Sequence, residues 1–199
     1  RGPLDEMLAE TPGGFNAIKD IRERRQKLEE QQQKWAKDQP PNENVVTEDR
    51  EIPGPEDAPP VGVRIYRPKA ASGVLPGIFF IHGGGMIMGS VEGENLKAAE
   101  LCEAIQAVVV SVEYRLAPEH PHPAPVQDCY AALKWMAQNA DELAFDVDRL
   151  AVVGGSAGGG LTIATTMMAR DKGFPRICFQ MPLYPMIDDR NEPPSSYEI

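Results

Sequence analysis

The sequence predicts an α/β fold built on a mostly parallel sheet with helices on both faces. Two observations carry this expectation. From residue 76 onward, short apolar runs that lack polar alternation take turns with segments of helical period. Glycine clusters at 83–85 and 154–160 also stand where two of those runs stop, the end of a strand at which parallel sheets gather ligands.

The elements follow in order. Residues 15–37, "FNAIKDIRERRQKLEEQQQKWAK", are rich in helix formers, with Phe15, Ile18, Ile21, Leu28 and Trp35 at mainly three- and seven-residue steps. Arg25 interrupts that apolar stripe, so the helix is expected to lie across a surface rather than inside a core. The segment "PGPEDAPP" at 53–60 connects short strands near 45–52 and 61–67. "GIFFIHGGG" at 77–85 is an apolar strand stopped by glycines, and 91–106 is a helix with Ala98, Leu101, Cys102 and Ile105 on one face. "AVVVSVEYR" at 107–115 is a second buried strand, and Val126, Cys129, Tyr130, Leu133, Met136 and Ala137 mark the helix after it. "LAVVGG" at 150–155 is a third strand, 157–170 a helix of poor intrinsic propensity, and "RICFQMPLY" at 176–184 a further strand.

Composition narrows the function classes. A chain of 199 residues with 42% hydrophobic content suits one globular domain rather than two. The net charge of −10 repels phosphate backbones and anionic membranes, which argues against nucleic acid as a partner. No run of about eighteen apolar residues predicts a membrane span, and the opening "RGPLDEMLAE" has no apolar signal region. Cys102, Cys129 and Cys178 show no CxxC spacing, so no disulfide framework or metal site is expected. They read as buried small hydrophobes in a reducing, cytoplasmic setting.

The stretch "VVGGSAGGG" at 152–160 holds the chemistry. Gly154-x-Ser156-x-Gly158 matches a nucleophile elbow, a sharp strand-to-helix turn that lifts a serine oxygen above the sheet. Such a serine takes a sparsely populated conformation costing about 1–3 kcal/mol, tolerated where its neighbours lack Cβ atoms. The N–H of Ala157 then sits at the positive end of the next helix, as one donor of an oxyanion hole. "HGGG" at 82–85 offers a second set of close-approaching amides. A phosphate cradle is the competing reading, but neither cluster fits GxxxxGK[ST] or GxGxxG.

Together "HGGG" at 82–85, "YRLAPEHPHPAP" at 114–125, "GGSAGGG" at 154–160 and "MPLYPMIDDR" at 181–190 resemble the hormone-sensitive-lipase group of α/β-hydrolases, over about residues 45 to 190. The resemblance implies an α/β-hydrolase core at 45–199 and an N-terminal helical cap segment at 1–44. It also implies a carboxylesterase acting on short- to medium-chain acyl esters without a cofactor. Ser156 corresponds to the nucleophile, the amides of Gly84, Gly85 and Ala157 to the oxyanion hole, and Gly83 shapes that loop. His82 corresponds to a structural residue, and Glu119 to a brace of the active-site loops with Arg115 nearby. The chain departs from the group at Gly155, where an acidic residue is usual, and at Met86, where an aromatic one is.

A serine nucleophile needs a histidine base and an acid to orient it, in the order serine, acid, histidine in this fold. His82, His120 and His122 all precede Ser156, and Asp188 and Asp189 do not stand in the group's usual acid segment. The 199 residues, ending at "SSYEI", are therefore expected to be the N-terminal part of a longer hydrolase, without triad catalysis of their own. The expected partners are a small-molecule ester, a second copy in a homo-oligomer, and a complementary C-terminal segment of the same protein. A non-catalytic small-molecule receptor on the same fold is the alternative, marked by loss of the triad histidine.

Overall fold

In a computed structural model of the chain, the described residues are 14–40 and 42–190; the first thirteen residues of the expected cap segment and the closing "SSYEI" lie outside them. Six strands form one sheet: β1 (Val45–Ile52), β2 (Val61–Pro68), β3 (Leu75–Ile81), β4 (Val108–Glu113), β5 (Phe145–Gly155) and β6 (Phe179–Leu183), in the order β1-β2-β4-β3-β5-β6. β1 and β2 form an antiparallel hairpin around the proline-rich 53–60 connection, and β2 runs antiparallel to β4. The other neighbours, β4 with β3, β3 with β5 and β5 with β6, are parallel. Parallel neighbours need long crossovers. Three helices supply them: α2 (Asn95–Ile105), α3 (Ala124–Gln138) and α4 (Ala157–Lys172), while α1 (Ile21–Lys37) precedes the sheet.

Alternation along the strands divides the core. Ile78 and Phe80 join Tyr66, Val109 and Val153 under Ala98, Ala99 and Cys102 of α2. Phe79 and Ile81 face the other way, with Val110 and Val112, against Cys129, Leu133 and Met136 of α3 and Leu161 of α4. β4 is buried on both faces, which is why its sequence shows no polar alternation. Each fully buried valine there contributes roughly 1.5–3 kcal/mol.

The helix expected at 15–37 begins at Ile21, because the Asp20 carboxylate caps it by accepting from the amides of Arg22 and Glu23 at 2.8 and 3.0 Å. α1 buries none of its residues and lies on the surface. The helix expected at 91–106 is likewise two pieces, a 3₁₀ turn at Glu92–Glu94 and then α2.

The strand at 176–184 corrects two expectations. It is regular only from Phe179, and Phe179 and Leu183 are exposed. Cys178, expected to be a buried hydrophobe, is exposed too, whereas Cys102 and Cys129 are buried. β6 is the edge of the described sheet, paired on one side with β5. An apolar run identifies a strand but does not say which of its faces will be covered.

Candidate active site

Ser156 stands at the carboxyl end of β5, one residue before α4, with φ 56° and ψ −118°. A left-handed φ on a residue with a side chain is held only by its surroundings. Three backbone hydrogen bonds do this: the Ser156 amide donates to the Leu183 carbonyl, and the Ser156 carbonyl accepts from the amides of Gly160 and Met186, each at 3.0 Å. The end of β6 and the residues after it thus clamp the elbow from outside. Packing also demands the glycines, since a Cβ on Gly154 would collide with the Gly158 carbonyl, and one on Gly158 with the carbonyls of Ile81 and His82. Ala157 is fully buried as the first residue of α4, where its amide has no helical acceptor.

The 82–85 loop reaches the elbow from the adjacent strand β3. A Cβ on Gly83 would lie 3.0 Å from the Gly155 carbonyl oxygen and 3.7 Å from the Ser156 Cβ, which places this backbone directly against the nucleophile candidate. Gly84, Gly85 and Met86 then take φ values of 117°, 65° and 62° in succession. The Gly84 carbonyl accepts from the amides of Ile87 and Met88 at 3.1 and 3.0 Å, closing a tight turn. Among the described residues, the loop's hydrogen bonds use its carbonyls and not the amides of Gly83, Gly84 and Gly85. The structure thereby brings Gly83, Gly84, Gly85, Ser156 and Ala157 to one end of the sheet.

His82 is fully buried below this loop. Its ring stacks on Tyr114 at 4.1 Å, and its Nδ1 donates to the Gly83 carbonyl at 2.8 Å, which assigns the proton to Nδ1. The Tyr114 hydroxyl donates to the His82 carbonyl at 3.0 Å. Burial pushes the imidazole below its ordinary pKa, so it is neutral at pH 7. Among the described residues its Nε2 is buried without a hydrogen-bond partner, and it lies 3.8 Å from a Glu113 carboxylate oxygen, so the ring acts on the shape of the loop. His120 and His122 are exposed, and Asp188 pairs with Arg190 at 2.7 Å.

Glu119 does not pair with Arg115. The Arg115 guanidinium and amide go instead to the fully buried carboxylate of Asp128, at 2.7–2.9 Å, tying the start of the 115–123 loop to α3. Glu119 receives two hydrogen bonds from Arg25 of α1, at 2.9 and 2.7 Å. These charge-assisted bonds hold its carboxyl down to about 2. Sequence reading treated Arg25 as a gap in an apolar stripe, and no local signal marks its partner 94 residues away.

Two further neighbours of the elbow escaped sequence reading. The ring of Tyr184 packs where a side chain on Gly155 would go, with its hydroxyl 3.1 Å from that Cβ position. The Glu94 carboxylate lies 3.9 Å from the Cβ position of Gly83 and pairs with Lys97 at 3.1 Å. A mainly apolar cavity of about 380 Å³ opens beside Met86, lined also by His122, Val126, Leu161, Met167 and Met186. A larger one, about 550 Å³, lies between the last turns of α4 and Cys178–Gln180. That is the amino-terminal end of β6, opposite to the end of the parallel β5 that carries Ser156. Among the described residues, no cluster of His, Cys, Asp or Glu could hold a metal ion, and no helix is long and apolar enough to cross a membrane.

Comparison with known proteins converges on one family. The alpha/beta hydrolase fold family matches residues 78–198. The chain is 44% identical over 125 residues to a carboxylesterase, NlhH, of Mycobacterium tuberculosis, covering 63% of this chain and 39% of that protein. It is 40% identical over 149 residues to the esterase LipI of the same organism, covering 74% and 46%. Among solved structures, a bacterial heroin esterase superposes with a TM-score of 0.89 at 35% identity, covering 98% of this chain and 61% of that one. A hyperthermophilic esterase from the archaeon Pyrobaculum calidifontis gives 0.76 at 41% identity, covering 83% and 52%. The chain spans less than half the length of these two curated relatives.

Proposed function

Because the chain belongs to the alpha/beta hydrolase fold family, in its hormone-sensitive-lipase group, we propose that it carries the nucleophile and oxyanion hole of a carboxylic ester hydrolase. The observation that supports this most is the strained Ser156, φ 56°, set beside the Gly83 backbone at the carboxyl end of the sheet. Ser156 Oγ attacks the ester carbonyl, and its proton passes to a histidine base and on to the departing alcohol. Water then cleaves the acyl-serine by the same base, releasing the carboxylic acid. The amides of Gly84, Gly85 and Ala157 receive the oxyanion of each tetrahedral intermediate, each donor contributing about 3–4 kcal/mol of transition-state stabilisation.

The base and its acid come from a complementary C-terminal segment of the protein. Two features support that assignment: His82 is fully buried with its Nε2 beside Glu113, and no histidine follows Ser156 in these 199 residues. The cavity beside Met86 suits the apolar part of a short- to medium-chain acyl ester, and α1, which reaches the loops beside it through Arg25, belongs to a cap over the site. Three unpaired thiols fit a reducing, cytoplasmic setting, and the exposed edge strand β6 suits pairing with that complementary segment.

The test is serine-directed labelling of the complete protein with a fluorophosphonate, alongside turnover of a p-nitrophenyl ester. The expected result is one label, lost in Ser156→Ala, together with a fall in kcat on the order of 10⁶-fold. A label that persists in Ser156→Ala, or unchanged turnover, overturns the assignment.

A further inference from the structure

The guanidinium of Arg25, on α1, reaches the candidate site's loops through several bonds at once. Its Nε donates to the Ile87 carbonyl at 2.6 Å, its two terminal nitrogens to the Glu119 carboxylate at 2.9 and 2.7 Å, and one of those also to the Ala117 carbonyl at 2.8 Å. Ile87 lies two residues beyond Gly85, on the loop with three successive left-handed residues. Ala117 lies on the neighbouring loop and donates its amide to the Met86 carbonyl at 2.9 Å. One side chain therefore ties two loops that already share a backbone hydrogen bond, and it does so from a helix with no buried residue.

We propose that Arg25 is a positioning residue. By satisfying the Ile87 and Ala117 carbonyls and pairing with Glu119, it holds the strained 84–86 backbone in the conformation that presents its amides to Ser156. This inference rests on the hydrolase reading for its kinetic consequence, but its structural content stands without it.

The physical case is one of competing conformations. Of the three left-handed residues, Gly84 and Gly85 reach these angles freely but reach other angles as freely, and the non-glycine Met86 is strained unless its surroundings exclude relaxed alternatives. The turn bonds to the Gly84 carbonyl hold the loop from within. The Arg25 bonds hold it from outside, and they involve a planar, permanently charged fork that a lysine does not reproduce. Arg25 is only partly exposed, at 28% of its side chain, so water replaces these bonds poorly. Docking of the N-terminal helix and ordering of the proposed oxyanion loop are then a single event.

The complete protein carrying Arg25→Ala, Arg25→Lys or Glu119→Gln tests this by two readouts, with Ser156→Ala as the control for the hydrolase reading. In hydrogen exchange, Arg25→Ala is expected to speed exchange of the amides at 84–88 at least about tenfold while β4 stays as protected as in the wild type. In turnover of a small acetyl ester, kcat is expected to fall about 10- to 100-fold with KM changed by less than about twofold. Arg25→Lys should lie between, since one ammonium with three donors cannot serve the four acceptor atoms that the planar fork reaches. Wild-type exchange at 84–88 in Arg25→Ala overturns the proposal, as does a loss carried wholly by KM. If Arg25→Ala fails to fold, Arg25→Lys and Glu119→Gln decide by the same readouts. If Ser156→Ala retains turnover, the hydrolase reading fails while the exchange measurement still judges the brace.

Discussion

At Gly84 and Gly85 the backbone angles demand glycine, and at Gly84 space demands it too, whereas at Gly154, Gly158 and Gly160 space alone does. Gly84 and Gly85 sit at φ 117° and 65°, where a side chain is strained whatever room surrounds it. Gly154, Gly158 and Gly160 have no left-handed φ, yet a Cβ on each would strike a neighbouring carbonyl. The loop can deform without unfolding the sheet, while the elbow lies between β5, β3 and α4 and cannot. Two glycine clusters in one site thus answer to different physics, and substitution should separate them.

The largest effect is expected from Gly158→Ala, whose methyl group would meet the carbonyls of Ile81 and His82 inside the packed sheet. Stability should fall by about 3 kcal/mol in denaturant titration, with activity falling alongside. Gly84→Ala combines both costs, since its Cβ falls on the Met88 carbonyl at an angle that is itself strained; kcat should drop about 10²–10³-fold, and the unfolding midpoint should fall too, though less than in Gly158→Ala because the loop is half-exposed. A Gly84→Ala variant as destabilised as Gly158→Ala would mean that the loop is held as rigidly as the elbow.

Gly85→Ala sharpens the comparison, because its Cβ meets only the Ile87 side chain, at 3.6 Å, and the cost is the dihedral alone. About 1–2 kcal/mol is expected. Gly155→Ala is milder still. Its neighbour is the hydroxyl of Tyr184, an exposed side chain free to shift, and destabilisation under about 1 kcal/mol in the same titration is expected.

The smallest effect concerns acid. Arg25 holds the Glu119 carboxyl at about 2, below the ordinary glutamate value of 4.5. A depressed carboxyl stabilises the folded state above its unfolded pKa and loses that contribution as pH falls through its folded pKa. The small gap in melting temperature between wild type and Glu119→Gln should therefore be constant above pH 4.5 and close towards pH 2. A gap that persists at pH 2 would assign Glu119 a packing role instead.

Much of this was legible from local pattern. "AVVVSVEYR" reads as a buried strand because β4 has protein on both faces, and the elbow reads from three residues because a strand-to-helix turn is a local event. Cys178 shows the limit, since the run around it is as apolar as the others and yet lies at an exposed edge. Arg25 shows it more sharply. On the helix it breaks a hydrophobic stripe, and in the fold it joins α1 to the loops beside Ser156.

The amino-acid order by itself determined the strand and helix periods, the placement of Ser156 at a strand end, and the glycines around it. Those features depend on residues within a turn or two of one another, and local sterics express them directly. Only the tertiary structure decided that β2 and β4 are neighbours, that Tyr184 covers Gly155, and that Arg25 meets Glu119 across 94 residues. Such contacts arise when distant segments are brought together by the burial of a shared core, and nothing in either segment alone specifies the other.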